Sequence, residues 1–161
     1  FLINTSIPSL IWPDCETDNA IIFKGLEETD KRFSEKKPLS PAFIIALLLW
    51  PSFEKRISMA NSAESQAIGR KILKHQNSRM KIPLRNTEFI LSIWNMQAKL
   101  TNKSVEFKEN IAKHRAFRAS YDLLLIRSGV DHVLKDSLNF WSQIQLRSPR
   151  SKNIVSKNEP L

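Results

Sequence analysis

The sequence predicts an all-α protein, a compact bundle of about seven helices without a β-sheet. Glycine, which turn-rich β-structures use often, accounts for only 3 of the 161 residues. Apolar residues recur every three or four positions along most of the chain, and no stretch shows the strict alternation of a half-buried strand. With 42% hydrophobic residues the chain can bury a core, and its single cysteine, Cys15, excludes an internal disulfide.

Capping residues predict the first two helices. A first helix should span residues 18–33, capped by the aspartate at its start, because a carboxylate there accepts hydrogen bonds from the first turn. A second helix should begin at Ser40 and Pro41, since serine caps helices and proline suits the first helical position. This helix is apolar on nearly every face, so it should be the most buried element. Pro51 should kink or end it.

The middle of the chain predicts two further helices joined by a basic loop. Asn61 and Glu64 form the pattern of a capping box for a third helix at residues 62–76. Residues 77–86 contain a proline and several cations, which favours a loop. A fourth helix should follow at residues 87–101, where the apolar residues have helical spacing.

Three more helices are predicted towards the end of the chain. A short fifth helix should cover residues 104–113 and a sixth residues 115–128. The sixth should stop at Gly129, because glycine readily takes the left-handed conformation that ends many helices. A seventh helix at residues 130–146 should bury one apolar stripe, made of Val130, Leu134, Leu138 and Trp141.

The expected domain organisation is a single helical domain with two irregular ends. Residues 1–17 should form an irregular leading segment, residues 18–147 the helical domain, and residues 148–161 a disordered polar tail. A chain that opens on Phe1 rather than Met suggests a piece of a longer protein. The longest apolar run, AFIIALLLW, has nine residues, whereas a membrane-spanning helix needs about 20. We therefore expect no membrane association.

The charge of the chain is concentrated in its second part. Residues 1–64 hold 7 Lys/Arg against 9 Asp/Glu, whereas residues 65–161 hold 18 against 7. Such a basic region attracts polyanions, with nucleic acid the first candidate and an acidic protein or membrane surface the second. Residues 70–85 contain six cations and no acid, and contacts from such side chains to phosphate give affinity without reading sequence.

No catalytic constellation is visible in the sequence. There is no Gly-rich phosphate loop, no Cys/His cluster with metal-ligand spacing and no nucleophile elbow. Two-metal nucleotidyl transfer needs carboxylates that hold two cations about 4 Å apart, and the aspartates form no D-x-D pair. We therefore expect no catalytic residue and no metal ligand in this chain, and no activity from the chain alone.

One segment carries a family resemblance. Residues 114–127 (HRAFRASYDLLLIR) resemble a segment near the C-terminus of bacterial poly(A) polymerases. Five further blocks resemble the same family in the same order, at residues 25–32, 38–51, 82–85, 93–97 and 138–145. From the first to the last, the six blocks span about residues 25–146, roughly three quarters of the chain. The tail departs from the family pattern, because family members often continue into a long segment rich in arginine. The tail of this chain should therefore contribute less to RNA binding.

The resemblance implies a helical body that holds RNA 3′ ends with little sequence preference. A catalytic head and neck would lie upstream in the same polypeptide, and the parent enzyme would add adenylates from ATP to RNA, using Mg²⁺, in the bacterial cytoplasm. Such tails promote RNA decay. This chain itself would need no cofactor. Two alternatives stay open: the C-terminal part of a tRNA CCA-adding enzyme, and a non-enzymatic helical module whose basic face binds an acidic protein.

Cations of the basic part are the predicted RNA-binding residues. They are Arg70, Lys71, Lys74, Arg79, Lys81, Arg85, Arg115, Arg118, Arg127, Arg147, Arg150 and Lys152. For Arg118 an ion pair with Asp122, four residues later on the same helix, is the alternative. Trp50 and Trp94 lie on apolar stripes, so they should be buried in the core rather than stack on bases.

Overall fold

A computed structural model describes residues 20–58, 60–102, 106 and 108–147 of the chain, with side chains up to residue 145. Seven α-helices and one 3₁₀ turn, His132–Leu134, occur within them, and no strand does, which confirms the all-α prediction. The helices are α1 (Ala20–Ser34), α2 (Pro41–Ile57), α3 (Ser62–Asn77), α4 (Leu84–Thr101), α5 (Lys108–Lys113), α6 (Phe117–Ser128) and α7 (Lys135–Arg147). The predicted leading segment, the cap at Asp18 and the predicted tail lie outside the described residues. None of the described helices is long and apolar enough to cross a bilayer.

Helix α2 is the most buried element, as its apolar sequence predicts. The Ser40 side chain accepts a hydrogen bond of 3.3 Å from a backbone N–H of the first turn, and Pro41 takes the first helical position. The helix does not end at Pro51 but runs on to Ile57, so of the two predicted outcomes, a kink or an end, the end is wrong and the kink stays a prediction. Beyond the proline, Phe53 is only 1% exposed. Burial of such side chains favours a continued helix over the hydrogen bond that proline removes.

The core lies where α2, α3, α4, α6 and α7 meet, and hydrogen bonds from two tryptophans connect α4 to α2 and α7 to α4. Trp94 of α4 donates its indole N–H to the carbonyl oxygen of Ala46 on α2, at 3.0 Å. Trp141 of α7 donates to the carbonyl oxygen of Leu100 on α4, at 2.8 Å. Both indoles are thus buried with their polar atom satisfied, as a core requires. Trp94 and Trp50 are 1% and 2% exposed, which confirms their predicted place in the core.

Helices α3 and α4 form an antiparallel pair with a tight connection. The predicted capping box of α3 is present: Asn61 accepts from the Glu64 N–H at 2.9 Å, and Glu64 accepts from the Asn61 N–H at 2.8 Å. A Cβ placed on the buried Gly69 would come within 2.7 Å of Leu91. Glycine at this position therefore allows the two helices to approach closely. Helix α4 begins earlier than predicted, so the connecting loop is residues 78–83.

The junction between α6 and α7 differs from the prediction at two residues. Gly129 has φ −74° and ψ −18°, a right-handed conformation, so its expected left-handed turn is wrong. A Cβ there would meet only the far end of the flexible Lys24 side chain from α1, which can move aside, so the structure gives no packing reason for glycine at this position. Val130 is 42% exposed rather than part of the buried stripe. The chain first forms the 3₁₀ turn, capped by Asp131, and α7 begins only at Lys135.

Candidate nucleic-acid interface

Six predicted RNA-binding cations are exposed along α3, its connection to α4 and the first turn of α4. We call this the α3–α4 basic surface; it consists of Arg70, Lys71, Lys74, Arg79, Lys81 and Arg85. The tight packing of α3 on α4 fixes both ends of the connecting loop. The Asn77 side chain also accepts a hydrogen bond of 2.6 Å from the Ile82 N–H, which closes the loop. The cations are therefore carried by a defined hairpin of two helices.

Only one of these six cations is neutralised within the described part of the chain. Arg70 donates to the two carboxylate oxygens of Glu88 on α4, at 2.8 and 3.4 Å. This hydrogen bond and the charge of Glu88 raise the pKa of Arg70. No hydrogen bond or ion pair to a described residue engages the other five side chains. Their positive charge is consequently available to an anion from outside the molecule.

An aromatic ring lies between cations at the start of α4. The guanidinium of Arg115, just before α6, lies 5.4 Å from the centroid of the Phe89 ring. Arg85 is one helical turn before Phe89, so both lie on the same face of α4. The turn that presents Arg115 is held by the Ala116 N–H, which donates to His114 Nδ1 at 3.1 Å. Rings among cations are typical of surfaces that bind single-stranded RNA.

Sequence reasoning missed Phe89 as a binding candidate. Its helical spacing placed it with the core residues of α4, whereas the structure leaves it half-buried at the edge of the core. Spacing shows which face a residue lies on but not how far that face extends under a neighbouring helix. The arginine four residues earlier was the available signal, because this spacing places a charge on the same face of the helix as the ring.

The first turn of α4 adds to the positive potential. Pro83 is its N-cap, and no side chain caps the helix. The uncapped N–H groups and the helix dipole favour an anion at this end. Arg85 lies within this turn, so a side-chain charge and the helix end act in the same place.

Arg118 has the ion pair that was its alternative to RNA binding. Its Nε lies 3.3 Å from Asp122, and Arg32 of α1 lies 3.7 Å from the same carboxylate. Burial raises the pKa of Asp122, and the two guanidinium groups oppose that rise. Because Asp122 joins α1 to α6, Arg118 has a structural partner, although its side chain stays 63% exposed.

Arg127 lies in the interior, away from the α3–α4 basic surface. Its guanidinium donates to Glu54 of α2 at 2.9 Å and to Gln97 of α4 at 3.0 Å, and it lies 4.5 Å from the ring centroid of Trp50. Burial lowers the pKa of Arg127, and the charge of Glu54 opposes this shift. The side chain is only 11% exposed. RNA contact by Arg127 stays a prediction, and its visible role is to join α6 to α2 and α4.

Three predicted contacts fall at the end of the chain. The backbone of Arg147 closes α7, and its side chain lies outside the described residues, as do Arg150 and Lys152. The structure thus brings six predicted cations together on one hairpin, places Arg115 beside Phe89, and gives Arg118 and Arg127 partners of their own.

Comparison with known proteins adds a family match. The family described as "Polymerase A arginine-rich C-terminus" matches residues 58–160, which is more than half of the chain. This range contains the whole α3–α4 basic surface. It also contains Arg115, Arg118 and Arg127.

Curated relatives are similar over most of the chain. "Poly(A) polymerase I" of Escherichia coli O6:H1 is 27% identical over an alignment of 138 residues, which covers 80% of this chain and 30% of that protein. The Salmonella typhi protein of the same name is 26% identical over an equal length. The Haemophilus influenzae protein is 26% identical over an alignment of 118 residues, which covers 69% of this chain and 26% of that protein. The chain therefore spans less than a third of the curated relatives it matches.

Proposed function

Because this chain belongs to the family of polymerase A arginine-rich C-termini, we propose that it is the RNA-binding C-terminal part of a bacterial poly(A) polymerase. In this proposal the complete enzyme adds AMP from ATP to RNA 3′ ends, and the resulting tails promote decay of the RNA. The match to this family and to enzymes named poly(A) polymerase I favours this function over a CCA-adding enzyme and over a non-enzymatic module.

The observation that carries the RNA-binding role is the α3–α4 basic surface. Five of its six cations have no partner among the described residues, so they are available to phosphate. Contacts to phosphate release counterions and give affinity that is independent of base sequence. An enzyme that extends many different RNA 3′ ends needs this kind of binding.

Phe89 and Arg115 extend the proposed RNA path beside this surface. A base that stacks on the exposed part of the Phe89 ring would also meet the guanidinium of Arg115. Stacking accepts every base, since each has a π-face. The pair would therefore add affinity while keeping the sequence tolerance that phosphate contacts give.

Adenylyl transfer itself is assigned to another part of the enzyme. The chain contains no D-x-D pair of the kind that holds the two metal ions in nucleotidyl transfer. Mg²⁺ and ATP would bind in an upstream head and neck, and we place the enzyme in the bacterial cytoplasm. The purified chain, incubated with ATP, Mg²⁺ and an RNA primer, should leave the primer length unchanged on a denaturing gel.

A charge-reversal experiment tests the RNA-binding role. Labelled oligo(A) and a mixed-sequence RNA are titrated with the chain at several salt concentrations. For three or four phosphate contacts, log affinity should fall against log salt with a slope of roughly −2 to −3. Replacing Lys71, Lys74 and Arg85 by glutamate should weaken binding to both RNAs about equally and flatten the slope by about 2.

The matched control reverses three exposed lysines outside this surface, Lys31, Lys36 and Lys135. It changes the net charge almost identically, so it separates a local surface from a general effect of charge. The control variant should keep most of the affinity and the slope. Equal losses in both triple variants would mean that the RNA does not follow α3 and α4.

A further inference from the structure

Two arginines share one carboxylate where α1 packs against α6. Arg118 of α6 reaches one oxygen of Asp122 with its Nε, at 3.3 Å, and Arg32 of α1 reaches the other oxygen with its Nη1, at 3.7 Å. We call these three residues the Asp122 cluster. Two guanidinium groups and one carboxylate leave one positive charge without a counterpart in the cluster. That charge attracts an anion, even though both arginines already have an ion pair.

The acid of the cluster is covered, whereas its cations are exposed. The Asp122 side chain is 17% exposed, compared with 39% for Arg32 and 63% for Arg118. In the pair of Arg127 with Glu54 the order is reversed, because there the arginine is the covered partner. An anion that approaches the Asp122 cluster from water therefore meets the guanidinium groups before it meets the carboxylate.

The two arginines can bind a further acceptor without leaving Asp122. A guanidinium has five N–H donors in one plane, and this arrangement makes arginine a frequent partner of phosphate. The contact with Asp122 is made through one nitrogen of each arginine. A phosphate can therefore accept from the remaining N–H groups while both ion pairs stay intact. The ion pair of Arg118 and its predicted contact with RNA are thus compatible.

The cluster continues a line of cations that begins on the α3–α4 hairpin. Arg115 lies beside the ring of Phe89 on α4, with 5.4 Å between the guanidinium and the ring centroid. Arg118 follows three residues later, in the first turn of α6, and is exposed like Arg115. Asp122 then connects Arg118 to Arg32. Positive side chains thus extend from α4, across the start of α6, to α1.

We propose that the Asp122 cluster binds a phosphate of the RNA strand and extends the RNA path from Phe89 to α1. Arg118 and Arg32 donate to the phosphate, and Asp122 orients both guanidinium groups from their covered side. This inference rests on the proposed RNA-binding function. It adds Arg32, a residue outside the set of cations predicted from the sequence.

The test titrates labelled oligo(A) with the full chain at several salt concentrations. Either Arg118→Gln or Arg32→Gln leaves a single arginine, which Asp122 neutralises, so each variant should lose the phosphate contact. The slope of log affinity against log salt should flatten by about 0.7. The matched control Arg56→Gln makes the same chemical change at an exposed arginine in the last turn of α2 and should leave the slope unchanged.

A charge rescue separates RNA binding from a purely structural role. Asp122→Asn combined with Arg32→Gln removes one negative and one positive charge, so Arg118 again carries a charge without a counterpart. This double variant should recover the slope of the unaltered chain. A structural role alone predicts no recovery, because the ion pair between α1 and α6 is still absent. Thermal unfolding midpoints above the titration temperature would show that the variants are folded.

Three results would overturn the proposal: an unchanged slope in Arg118→Gln, an equal change in Arg56→Gln, or no recovery in the double variant. Competition by inorganic phosphate at constant ionic strength separates the two possible sources of the phosphate group. Millimolar phosphate should not displace oligo(A). Displacement that depends on Arg118 would assign the cluster to a free phosphate and remove it from the RNA path.

The proposed function can fail separately from this inference. If the reversal of Lys71, Lys74 and Arg85 leaves RNA affinity intact while Arg118→Gln flattens the slope, the basic surface is not the RNA site and the Asp122 cluster stands. If the reversal weakens binding but Arg118→Gln changes nothing, the RNA-binding role stands and this inference falls.

Discussion

The interior around Arg127 and the α3–α4 basic surface use the same type of side chain in opposite ways. Arg127 is 11% exposed, and its guanidinium is held by Glu54, Gln97 and the ring of Trp50. Arg85 is exposed and has no partner among the described residues. A guanidinium removed from water must find partners within the protein, so it serves the fold. A hydrated guanidinium on the surface remains available to pair with a phosphate from outside the protein.

A count of charges in the sequence does not show which cations already have an acidic partner in the folded protein. The net charge of +9 includes Arg127, Arg70 and Arg118, each of which has an acidic partner in the structure. An exposed pair such as Arg70 with Glu88 contributes little to stability, because water screens both charges. Removal of one partner from a buried pair costs more, because the remaining charge stays poorly hydrated. Substitutions in the two regions should therefore have different consequences.

The largest expected effect comes from the interior. Trp94→Ala removes a ring that stacks on Phe53, with centroids 4.5 Å apart, and a hydrogen bond to Ala46. Loss of a buried tryptophan costs about 3–5 kcal/mol of unfolding free energy. Urea denaturation followed by circular dichroism measures it. A cost below about 1 kcal/mol would show that this region is less well packed than its exposure indicates.

Two glutamates with nearly equal exposure allow a direct comparison of the interior with the α3–α4 basic surface. Glu54 is 42% exposed and pairs with the buried Arg127, whereas Glu88 is 45% exposed and pairs with the exposed Arg70. Glu54→Ala should cost about 2 kcal/mol because it leaves a buried charge without its partner. Glu88→Ala should cost at most about 1 kcal/mol. Equal costs in denaturation experiments would remove the distinction between the two regions.

The start of α3 gives a smaller effect. Asn61→Ala removes one half of the capping box, in which Asn61 and Glu64 each accept from the other's N–H. The expected loss of unfolding free energy is about 1 kcal/mol. Since the cap is distant from Arg85 along the hairpin, RNA affinity below the unfolding temperature should not change. A large loss of RNA affinity in the folded variant would show that α3 must be rigid to bind.

The smallest expected effect is a gain in RNA binding. Glu88→Gln releases Arg70 from its carboxylate and removes the only acid that pairs with the described basic surface. If Arg70 then contacts a phosphate, the salt dependence should steepen by about 0.7. Unfolding free energy should change by less than about 1 kcal/mol. An unchanged slope, measured in parallel with the unaltered chain, would place Arg70 off the RNA path.

Local patterns made most of the helices predictable. The serine and proline before α2 and the Asn61–Glu64 pair before α3 act within one turn, so the sequence shows them directly. The ends of the helices were harder to predict from the sequence. Pro51 lies inside α2, where burial of Phe53 outweighs the local preference of proline. Gly129 is right-handed and leads directly into the 3₁₀ turn.

The candidate site was predictable in part for a similar reason. A run of cations without acids shows in the sequence, and the structure places its six members on one hairpin. The partners of Arg127 could not be predicted from the sequence, because Glu54 and Gln97 lie 73 and 30 residues away along the chain.

A matched pair of substitutions tests the separation of the two regions most directly. Arg127→Gln and Arg85→Gln make the same chemical change at a buried and at an exposed position. Unfolding free energy and oligo(A) affinity are measured for both variants, at a temperature where both are folded. Arg127→Gln should lose about 2–3 kcal/mol of stability and keep RNA affinity.

Arg85→Gln should keep its stability within about 0.5 kcal/mol and bind oligo(A) more weakly, with a slope flatter by about 0.7. The reverse pattern would contradict the assignment of Arg127 to the fold and of the exposed cations to RNA. In that pattern, Arg127→Gln weakens RNA binding without loss of stability and Arg85→Gln leaves RNA affinity unchanged.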